Sequence, residues 1–262
     1  MKKSIFNGRE VNFVSSDNMN SDAVHETNGI FWDTVGNDVV GATALPQYGA
    51  FITEDKHRLF GDVSGKKLLE IGCGSGESLK YHGEHEAGEL WGMDISENQI
   101  AKSGRLLTES SIAAKFVCSP MEEECGIPKN YFDFVYSIYA VGWTTDLEKT
   151  FCRIASYLKK DGAFIFSWSH PIHKCVYTEN DTHIFKKSYF DESRYSMVFN
   201  DGTLTLSDYK MSTYVNTLYK AGFVIEQMIE EPDDNFIKDT DSDHAKKARM
   251  IPLTFVIKAK KL

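Results

Sequence analysis

Apolar and polar positions follow two different periodicities along the chain from residue 67 onward. Near-continuous apolar runs bounded by polar or glycine positions predict buried strands, and they occupy residues 67–71, 90–95, 114–118, 131–138, 163–168, 223–229 and 253–259. Apolar residues at helical spacing lie between such runs, as at Leu147, Phe151, Ile154 and Leu158. This alternation predicts an α/β fold with a doubly wound, Rossmann-like, mostly parallel sheet of seven strands and helices on both faces.

Polar and glycine residues mark where several of these elements begin and end. Ser96 with Gln99, and Thr145 with Glu148, each have the spacing of a capping box that opens a helix. The Asp-Gly pair at 161–162 predicts a turn that ends the second of these helices. Gly222 is expected to provide the C-cap of a helix over residues 214–221.

Two segments do not follow the alternation. Residues 1–57 show little periodicity, although they contain several aromatic residues. Residues 171–210 mix aromatic and charged positions and separate two predicted elements of the sheet. Because long insertions in compact domains are often lids or binding loops, residues 171–210 are predicted to form a lid over a substrate site. A small β-hairpin that only packs on the sheet is an equal alternative.

The first predicted strand leads into three alternating glycines. Glu70 is followed by Gly72, Gly74 and Gly76, after which a helix is expected. Glycine can adopt positive φ and lets the backbone approach a ligand closely, while the amide groups of a helix N-terminus face that ligand. A dinucleotide fingerprint requires glycine at the position of Glu77, so the spacing disfavours that cofactor class.

An acidic residue ends the second predicted strand. Asp94 lies 22 residues after Gly72, close to the separation of about 20 residues expected for a ribose-binding carboxylate. A carboxylate can accept both hydroxyl protons of a ribose diol. The alternative is an ordinary βαβ unit whose acid only caps the next helix.

The order acid-x-Gly-x-Gly-x-Gly resembles the cofactor loop of class I S-adenosylmethionine-dependent methyltransferases. Four further stretches resemble the small-molecule (methyltransferase-11-like) group of that family, namely residues 132–137, 158–163, 221–223 and 252–259. The resemblance covers the chain from about residue 67 to the C-terminus. It implies S-adenosylmethionine as cofactor, S-adenosylhomocysteine as product, and a last strand that runs antiparallel to the others.

The resemblance also implies a role for individual residues. The methionine part of the cofactor would be lined by Gly72, Cys73, Gly74 and Gly76, with Glu70 near its ammonium group and Ser137, Ile138 and Tyr139 near the methyl group. Asp94 would hold the ribose hydroxyls, Ile95 would pack on adenine, and Ser119, Pro120 and Met121 would lie along the adenine edge. The family commonly has aspartate where this chain has Ser119.

Candidate catalytic residues follow from the position of the fifth predicted strand. An oxygen or nitrogen acceptor loses a proton on methylation, and histidine suits the role of general base. His170 directly follows that strand, at the end of the sheet where ligands of α/β folds bind, so it is predicted to be this base. Its alternative role is packing at the strand end. Tyr139 is predicted to orient the acceptor, Trp143 to form pocket wall, and Tyr48 to pack in the core rather than close over the cofactor.

Composition restricts partners and location. The chain has 262 residues and a net charge of −9, which opposes a nucleic-acid-binding surface. No apolar run approaches the roughly 18 residues of a membrane span, and the first residues lack the apolar region of a signal peptide. Five cysteines without C-x-x-C spacing indicate reduced thiols. We therefore expect a cytoplasmic protein without a membrane or nucleic-acid partner.

Metal sites are not expected. The stretch 170–175 contains two histidines and a cysteine, but no second ligand pair matches it. Residues 239–244 begin like a calcium loop, yet His244 stands at the position of the required glycine, and Met250 replaces the final glutamate. A solvated acidic loop is the preferred interpretation.

These observations predict one methyltransferase domain over residues 1–262. Its parts would be an N-terminal cap segment (1–57), a cofactor-binding core (58–170), a lid insertion (171–210) and a C-terminal part of the core (211–262). The predicted activity is methyl transfer to an O, N or C atom of a small organic molecule. A methyltransferase for a protein or RNA site and a non-catalytic S-adenosylmethionine-binding protein are the alternatives, and the oligomeric state is left open.

Overall fold

The computed structural model describes residues 3–6, 9–34, 41–179, 182–233, 237–238 and 241–262. Its strands are β1 (Lys3–Phe6), β2 (Arg9–Ser15), β3 (Gln47–Gly49), β4 (Ile52–Thr53), β5 (Lys67–Ile71), β6 (Glu89–Asp94), β7 (Ala114–Cys118), β8 (Phe132–Ile138), β9 (Leu158–Ser169), β10 (Val176–Glu179), β11 (Thr182–Phe185), β12 (Arg194–Phe199), β13 (Gly202–Ser207), β14 (Phe223–Ile229) and β15 (Thr254–Lys261). The α-helices span Ser21–Thr34, Glu54–His57, Glu77–Glu84, Glu97–Glu109, Leu147–Tyr157, Pro171–Cys175, Met211–Lys220 and Asp243–Ala248, and Val141–Trp143 is a 3₁₀ helix.

The predicted seven-stranded sheet is confirmed. Its strand order is β14-β15-β9-β8-β5-β6-β7, and only β15 runs antiparallel to its neighbours. The parallel strands β5, β6, β8 and β9 therefore present their carboxyl ends at one edge, where ligands of such sheets bind. The predicted strand and helix boundaries agree with the structure to within a few residues, except at β9.

Strand β9 begins earlier than its apolar run indicated. Helix Leu147–Tyr157 ends directly before it, so the predicted turn at 161–162 does not end that helix. Instead, the pairing of β8 with β9 shifts register, and Asp161 adopts φ 63° inside the irregular stretch. Leu158 is fully buried, so burial favours its place in the sheet rather than at the end of the helix.

One capping box is confirmed in part and the other is wrong. The Ser96 hydroxyl accepts a hydrogen bond from the Gln99 amide, as predicted, but the Gln99 side chain donates to the Trp32 carbonyl instead of returning to the cap. At the second helix, Asp146 rather than Thr145 is the N-cap and accepts from the Lys149 amide. Thr145 is engaged elsewhere, because its hydroxyl donates to Glu122.

A second sheet joins the two segments that lacked a clear pattern. It has the order β1-β2-β12-β13, so the N-terminal segment pairs with the insertion. Helix Ser21–Thr34 packs on it, and the Asn28 side chain exchanges two hydrogen bonds with the backbone of Thr205. The β12–β13 hairpin thus does not simply pack on the central sheet, while β10 and β11 form a separate hairpin.

The core lies on both faces of the central sheet. On one face, Leu147, Phe151 and Ile154 are buried against β8 and β9, as their spacing predicted. Each fully buried side chain of this kind contributes about 1.5–3 kcal/mol relative to exposure. No helix in the described ranges is long and apolar enough to cross a membrane.

Candidate active site

A large cavity opens at the carboxyl ends of the parallel strands. Its volume is about 1110 Å³, and its lining comes from the central sheet, from the N-terminal segment and from residues of the insertion. Pockets for one small molecule usually measure about 300–1,000 Å³. The cavity is therefore large enough for a cofactor together with a second small molecule.

The three glycines of the loop after β5 serve different purposes. All adopt positive φ, at 72° for Gly72, 50° for Gly74 and 93° for Gly76. A Cβ on Gly72 would lie 2.3 Å from the Cβ of Ala140, and one on Gly76 would lie 2.2 Å from Ser103 Oγ. A Cβ on Gly74 would meet nothing within 4 Å, although this residue borders the cavity. Gly74 is thus where a ligand can approach the backbone.

Two predicted residues of this end do not border the cavity. Gly76 packs against Ser103, and its role is to admit the close approach of two helices. Ser137 points away from the cavity, since its hydroxyl donates to the Ile71 carbonyl at 2.9 Å and ties β8 to β5. The Ser137 hydroxyl is therefore engaged within the sheet, and its place near the methyl group of a bound cofactor stays a prediction. Gly72, Cys73 and Ile138 do border the cavity.

Asp94 connects the end of β6 to the glycine loop. Its Oδ2 accepts from the Gly74 amide at 2.8 Å, and its Oδ1 accepts from the Ser96 amide at 3.0 Å. Burial raises its pKa, while these amides act in the opposite direction. Each carboxylate oxygen can accept more than one hydrogen bond, so this cavity-lining group retains acceptor capacity for hydroxyl donors.

Glu70 is a buried acid on the same wall of the cavity. Its Oε2 accepts from the Tyr136 hydroxyl at 3.3 Å, and it is 2% exposed. Burial raises its pKa well above the usual range. In the described part of the chain no cation forms an ion pair with it, so a cationic ligand group would be stabilised beside it.

The predicted adenine edge is assembled from two loops. Ile95, Ser119, Pro120 and Met121 all border the cavity. The Ser119 amide donates to the Asp94 carbonyl at 2.9 Å, which joins the loop after β7 to the end of β6. The Ser119 hydroxyl donates to the Pro120 carbonyl at 3.2 Å.

Tyr139 and Trp143 border the cavity where β8 ends. Tyr139 adopts φ 54°, and its hydroxyl lies 3.4 Å from Thr254 Oγ1. Burial raises the pKa of Tyr139, so the phenol stays protonated at neutral pH. Trp143 contributes a wall, as expected. Tyr48 lies outside the cavity, fully buried, and its hydroxyl donates to Glu54 at 2.7 Å.

His170 lies behind the wall of the cavity rather than in its lining. The side chain is 6% exposed and does not border the cavity. Its Nδ1 accepts from the Ile172 amide at 3.1 Å and caps helix Pro171–Cys175, while Nε2 lies 2.7 Å from Glu230. Both ring nitrogens are therefore engaged. Burial lowers the pKa of His170, and Glu230 acts against that shift. These contacts fit the alternative role of His170, packing at the strand end, better than the role of base.

A histidine that the sequence pattern did not single out does border the cavity. His25 Nε2 lies 3.4 Å from Glu122 Oε2 and 3.2 Å from Thr145 Oγ1. Burial alone would raise the pKa of Glu122, but hydrogen bonds from His25 and from the Thr145 amide lower it to about 2. The carboxylate is thus charged and can orient the imidazole. These residues come from distant segments, and no spacing in the sequence connects them.

Among the residues that the structure describes, no cluster of three or more His, Cys, Asp or Glu side chains could hold a metal ion. Residues 239–240 of the acidic loop lie outside the described residues. Asp241 and Asp243 of that loop are exposed.

Known proteins with a similar sequence or fold include methyltransferases. A family model for a methyltransferase domain matches residues 69–166. An uncharacterized protein of Haemophilus influenzae is 28% identical over 190 residues, which cover 66% of this chain and 73% of that protein. Other curated relatives, such as a sterol 24-C-methyltransferase of Gibberella zeae, match over a smaller share of their own length, 28% in that case.

Solved structures share the architecture. That of a proposed S-adenosylmethionine-dependent methyltransferase from Listeria monocytogenes is 26% identical, with a TM-score of 0.69 over 80% of this chain and 96% of that chain. The 1,6-didemethyltoxoflavin-N1-methyltransferase of Burkholderia thailandensis, solved with 1,6-didemethyltoxoflavin and S-adenosylhomocysteine, has a TM-score of 0.66 at 16% identity over 100% of this chain and 99% of its own. The family model identifies a methyltransferase domain over residues 69–166, and the sheet order, the glycine loop and Asp94 agree with a class I methyltransferase that uses S-adenosylmethionine as its cofactor.

Proposed function

We propose that this protein transfers a methyl group from S-adenosylmethionine to an O, N or C atom of a small organic molecule in the cytoplasm. The observation that carries the proposal is one continuous cavity of about 1110 Å³ that is lined by the glycine loop and by the insertion. Its size leaves room for an acceptor beside the cofactor. The fold shared with the Burkholderia enzyme, whose structure holds a small acceptor and S-adenosylhomocysteine, is compatible with this arrangement.

The glycine-loop wall is the proposed cofactor half of the cavity. Gly72, Cys73 and Gly74 would contact the methionine part, with Glu70 beside its ammonium group. Asp94 would accept the ribose hydroxyls, and Ile95, Ser119, Pro120 and Met121 would border adenine. The fit rests on the open side of Gly74, on the uncompensated buried Glu70 and on the spare acceptor capacity of Asp94.

S-adenosylmethionine supplies an electrophilic methyl group, and the sulfur keeps the electrons of the bond that breaks. The chain aligns the reactants, excludes water and receives a proton where the acceptor loses one. Tyr139 is proposed to orient the acceptor through its protonated phenol. His25, held by Glu122, is proposed as the proton acceptor in place of His170, because it borders the cavity.

The parts of the chain form one domain in this proposal. The N-terminal segment and the insertion share a sheet through the pairing of β2 with β12. Both segments contribute side chains to the lining of the cavity. A protein or RNA acceptor would require an open groove at this place, and a sensor would require no acceptor space. Acceptor space beside the cofactor, lined by both of these segments, therefore favours a small acceptor over both alternatives.

The proposal is tested with metabolite extracts and cofactor carrying an isotopically labelled methyl group. We expect the label to enter a small organic product only when the protein is present. Asp94→Ala protein, checked for folding by circular dichroism, is the control and should lose this transfer. Label found only in protein or RNA would refute the small-molecule acceptor, and S-adenosylhomocysteine binding without any transfer would favour the sensor.

A further inference from the structure

A cluster of basic side chains from two short helices contributes to the lining of the cavity. We define the Lys247 cluster as His173, His244 and Lys247, which all border the cavity. His173 belongs to helix Pro171–Cys175, and the other two belong to helix Asp243–Ala248. The rings of His173 and His244 have centroids 5.6 Å apart. The cluster is unexpected in a chain with a net charge of −9.

Lys247 is a buried cation without an acidic partner. It is 7% exposed, and its Nζ donates to the carbonyl oxygens of His173, at 2.9 Å, and Val176. Among the described residues no carboxylate lies within 4 Å of this nitrogen, and its third proton has no acceptor. Burying a charge is costly unless an opposite charge accompanies it. Burial accordingly lowers the pKa of Lys247.

His173 adds an unsatisfied polar atom at the same place. Its Nδ1 is buried and has no hydrogen-bond partner in the described part of the chain. Burial, together with Lys247, His244 and Lys174, lowers the pKa of His173 to about 3, so the ring is neutral at physiological pH. Buried polar atoms in native proteins nearly always have a hydrogen-bond partner, so an unpaired one indicates a position where a ligand could supply that partner.

The other charges of this wall do not supply the missing anion. Lys174 and Lys187 are both paired with Asp208, so that carboxylate is already compensated. Asp243 also borders the cavity from the first turn of its helix, but it forms no ion pair with Lys247 within 4 Å. Arg194 also borders the cavity and donates to the Met19 and Thr145 carbonyls. Lys247 is therefore one of the cations of this wall that a ligand could still neutralise, and it is the buried one.

We infer that the Lys247 cluster binds an anionic group, a carboxylate or a phosphate, of the methyl acceptor. This inference rests on the proposed function and narrows its substrate class to acidic small molecules. An anion here would neutralise the Lys247 ammonium, accept its third proton and interact with the rings of His173 and His244. The acidic side chains of Glu70 and Asp94 would hold the cationic part of the cofactor. The cofactor and the acceptor would then each bind beside side chains of opposite charge.

The first test uses inorganic phosphate and acetate as separate probes on the full chain saturated with S-adenosylhomocysteine. Thermal unfolding is followed as each anion is added, with sodium chloride at equal ionic strength as reference. We expect at least one anion to raise the melting temperature beyond the chloride reference, by about 3–6 °C at ten times its Kd. A stronger response to phosphate identifies a phosphate site, and a stronger response to acetate identifies a carboxylate site.

Variants connect this response to the cluster. Lys247→Gln keeps a donor for the backbone carbonyls but removes the charge, so the anion should bind about 10- to 100-fold more weakly. Lys247→Arg should retain most of the affinity. Lys246→Gln is the matched control, because Lys246 lies on the same helix, does not border the cavity and pairs with Asp241. S-adenosylhomocysteine affinity should be unchanged in all three variants.

Several results would overturn the inference. One is that neither anion raises the melting temperature beyond the chloride reference. The other is that anions raise the melting temperature of Lys247→Gln as much as that of the unmodified protein. If Lys247→Gln does not fold, His244→Gln decides, because His244 is exposed and its replacement leaves the core intact. Its anion response should weaken severalfold, and an unchanged response would contradict the inference.

A second test separates this inference from the proposed function. The metabolite extract is divided on an anion exchanger before the labelled-methyl assay. Acceptor activity is expected in the retained fraction. Activity found only in the unretained fraction would refute the anionic acceptor and leave the small-molecule methyltransferase intact, whereas S-adenosylhomocysteine binding with no acceptor in either fraction would count against the proposed function itself.

Discussion

Replacement of Gly74 by alanine should have two separable effects: a small loss of stability from backbone strain, and a larger loss of cofactor affinity because the added methyl group blocks access to the backbone. Gly74 adopts φ 50°, and a Cβ there meets no protein atom within 4 Å. A left-handed conformation costs a non-glycine residue about 1–2 kcal/mol, and about 0.4–1 kcal/mol of this is offset in the unfolded chain. The net loss of stability is therefore at most about 1.6 kcal/mol. At roughly 2–4 °C per kcal/mol, the melting temperature should fall by about 6 °C at most.

The effect on the cofactor should be much larger than the effect on stability. The added methyl group would stand where the cofactor is proposed to contact the backbone, and an intruding methyl in a well-packed site costs about 1–3 kcal/mol. Calorimetric titration with S-adenosylhomocysteine should show affinity reduced by about 10- to 100-fold. Gly61→Ala is the matched control, since Gly61 has φ 61°, also has open space around it and lies outside the cavity.

Gly61→Ala should lose similar stability and no affinity for S-adenosylhomocysteine. If Gly74→Ala binds S-adenosylhomocysteine as tightly as the unmodified protein, then the ligand does not approach this loop and the cofactor half of the cavity has been misplaced. Equal affinity losses in the two variants would mean that general strain, rather than contact, controls binding.

Three further predictions concern side chains. Asp94→Ala should weaken S-adenosylhomocysteine binding at least tenfold, and Ser119→Ala should weaken it less, because charged hydrogen bonds contribute about 1.5–3 kcal/mol and neutral ones about 1. Equal losses of affinity in calorimetry would mean that Asp94 does not hold the ribose hydroxyls. With a known acceptor, His25→Asn should lower kcat by about 10²–10⁴-fold. His170→Ala should cost about 0.5–2 kcal/mol of stability as a lost helix cap and leave S-adenosylhomocysteine affinity unchanged. A large loss of kcat in His170→Ala together with a normal kcat in His25→Asn would instead support His170 as the base. Burial lowers the pKa of His82 to about 3, so below about pH 6.5 the unfolded chain binds a proton that the native chain does not. The free energy of unfolding should therefore fall by about 1.4 kcal/mol for each unit by which the pH is lowered from about 6 to 4. Denaturant titrations of His82→Leu should show a shallower fall, and an unchanged pH dependence would contradict a neutral buried His82.

The central sheet could be predicted from the sequence because its signals are local. Apolar runs of strand length were enough to place β5 to β9, β14 and β15 to within a few residues, apart from the start of β9. The glycine loop and Asp94 could also be located, because the ends of adjacent parallel strands meet regardless of what the rest of the chain does. The glycine loop and the acidic strand end could therefore be located from the order of the predicted strands along the chain.

The second sheet could not be predicted in this way. Its strands pair residues that are far apart in the chain, as where Phe13 faces Met197, and pairing of that kind leaves no periodic signal within either segment. The direction of side chains at strand ends was equally undetermined. His170 and Ser137 lie at the expected edge of the sheet, yet one turns to Glu230 and the other to Ile71, because hydrogen-bond partners from other elements were available there.

What the sequence by itself determined is the α/β sheet, the family and the acidic, glycine-rich end of the cavity, since these depend on neighbouring residues along one strand and turn. Only the tertiary structure decided that His25 borders the cavity while His170 does not, and that Lys247 is buried without an acidic partner among the described residues. His25 meets Glu122, and Lys247 meets two carbonyl oxygens rather than a carboxylate, through contacts between segments distant in sequence. Burial and pairing of charges are properties of the packed chain, and they set the chemistry of the acceptor half of this site.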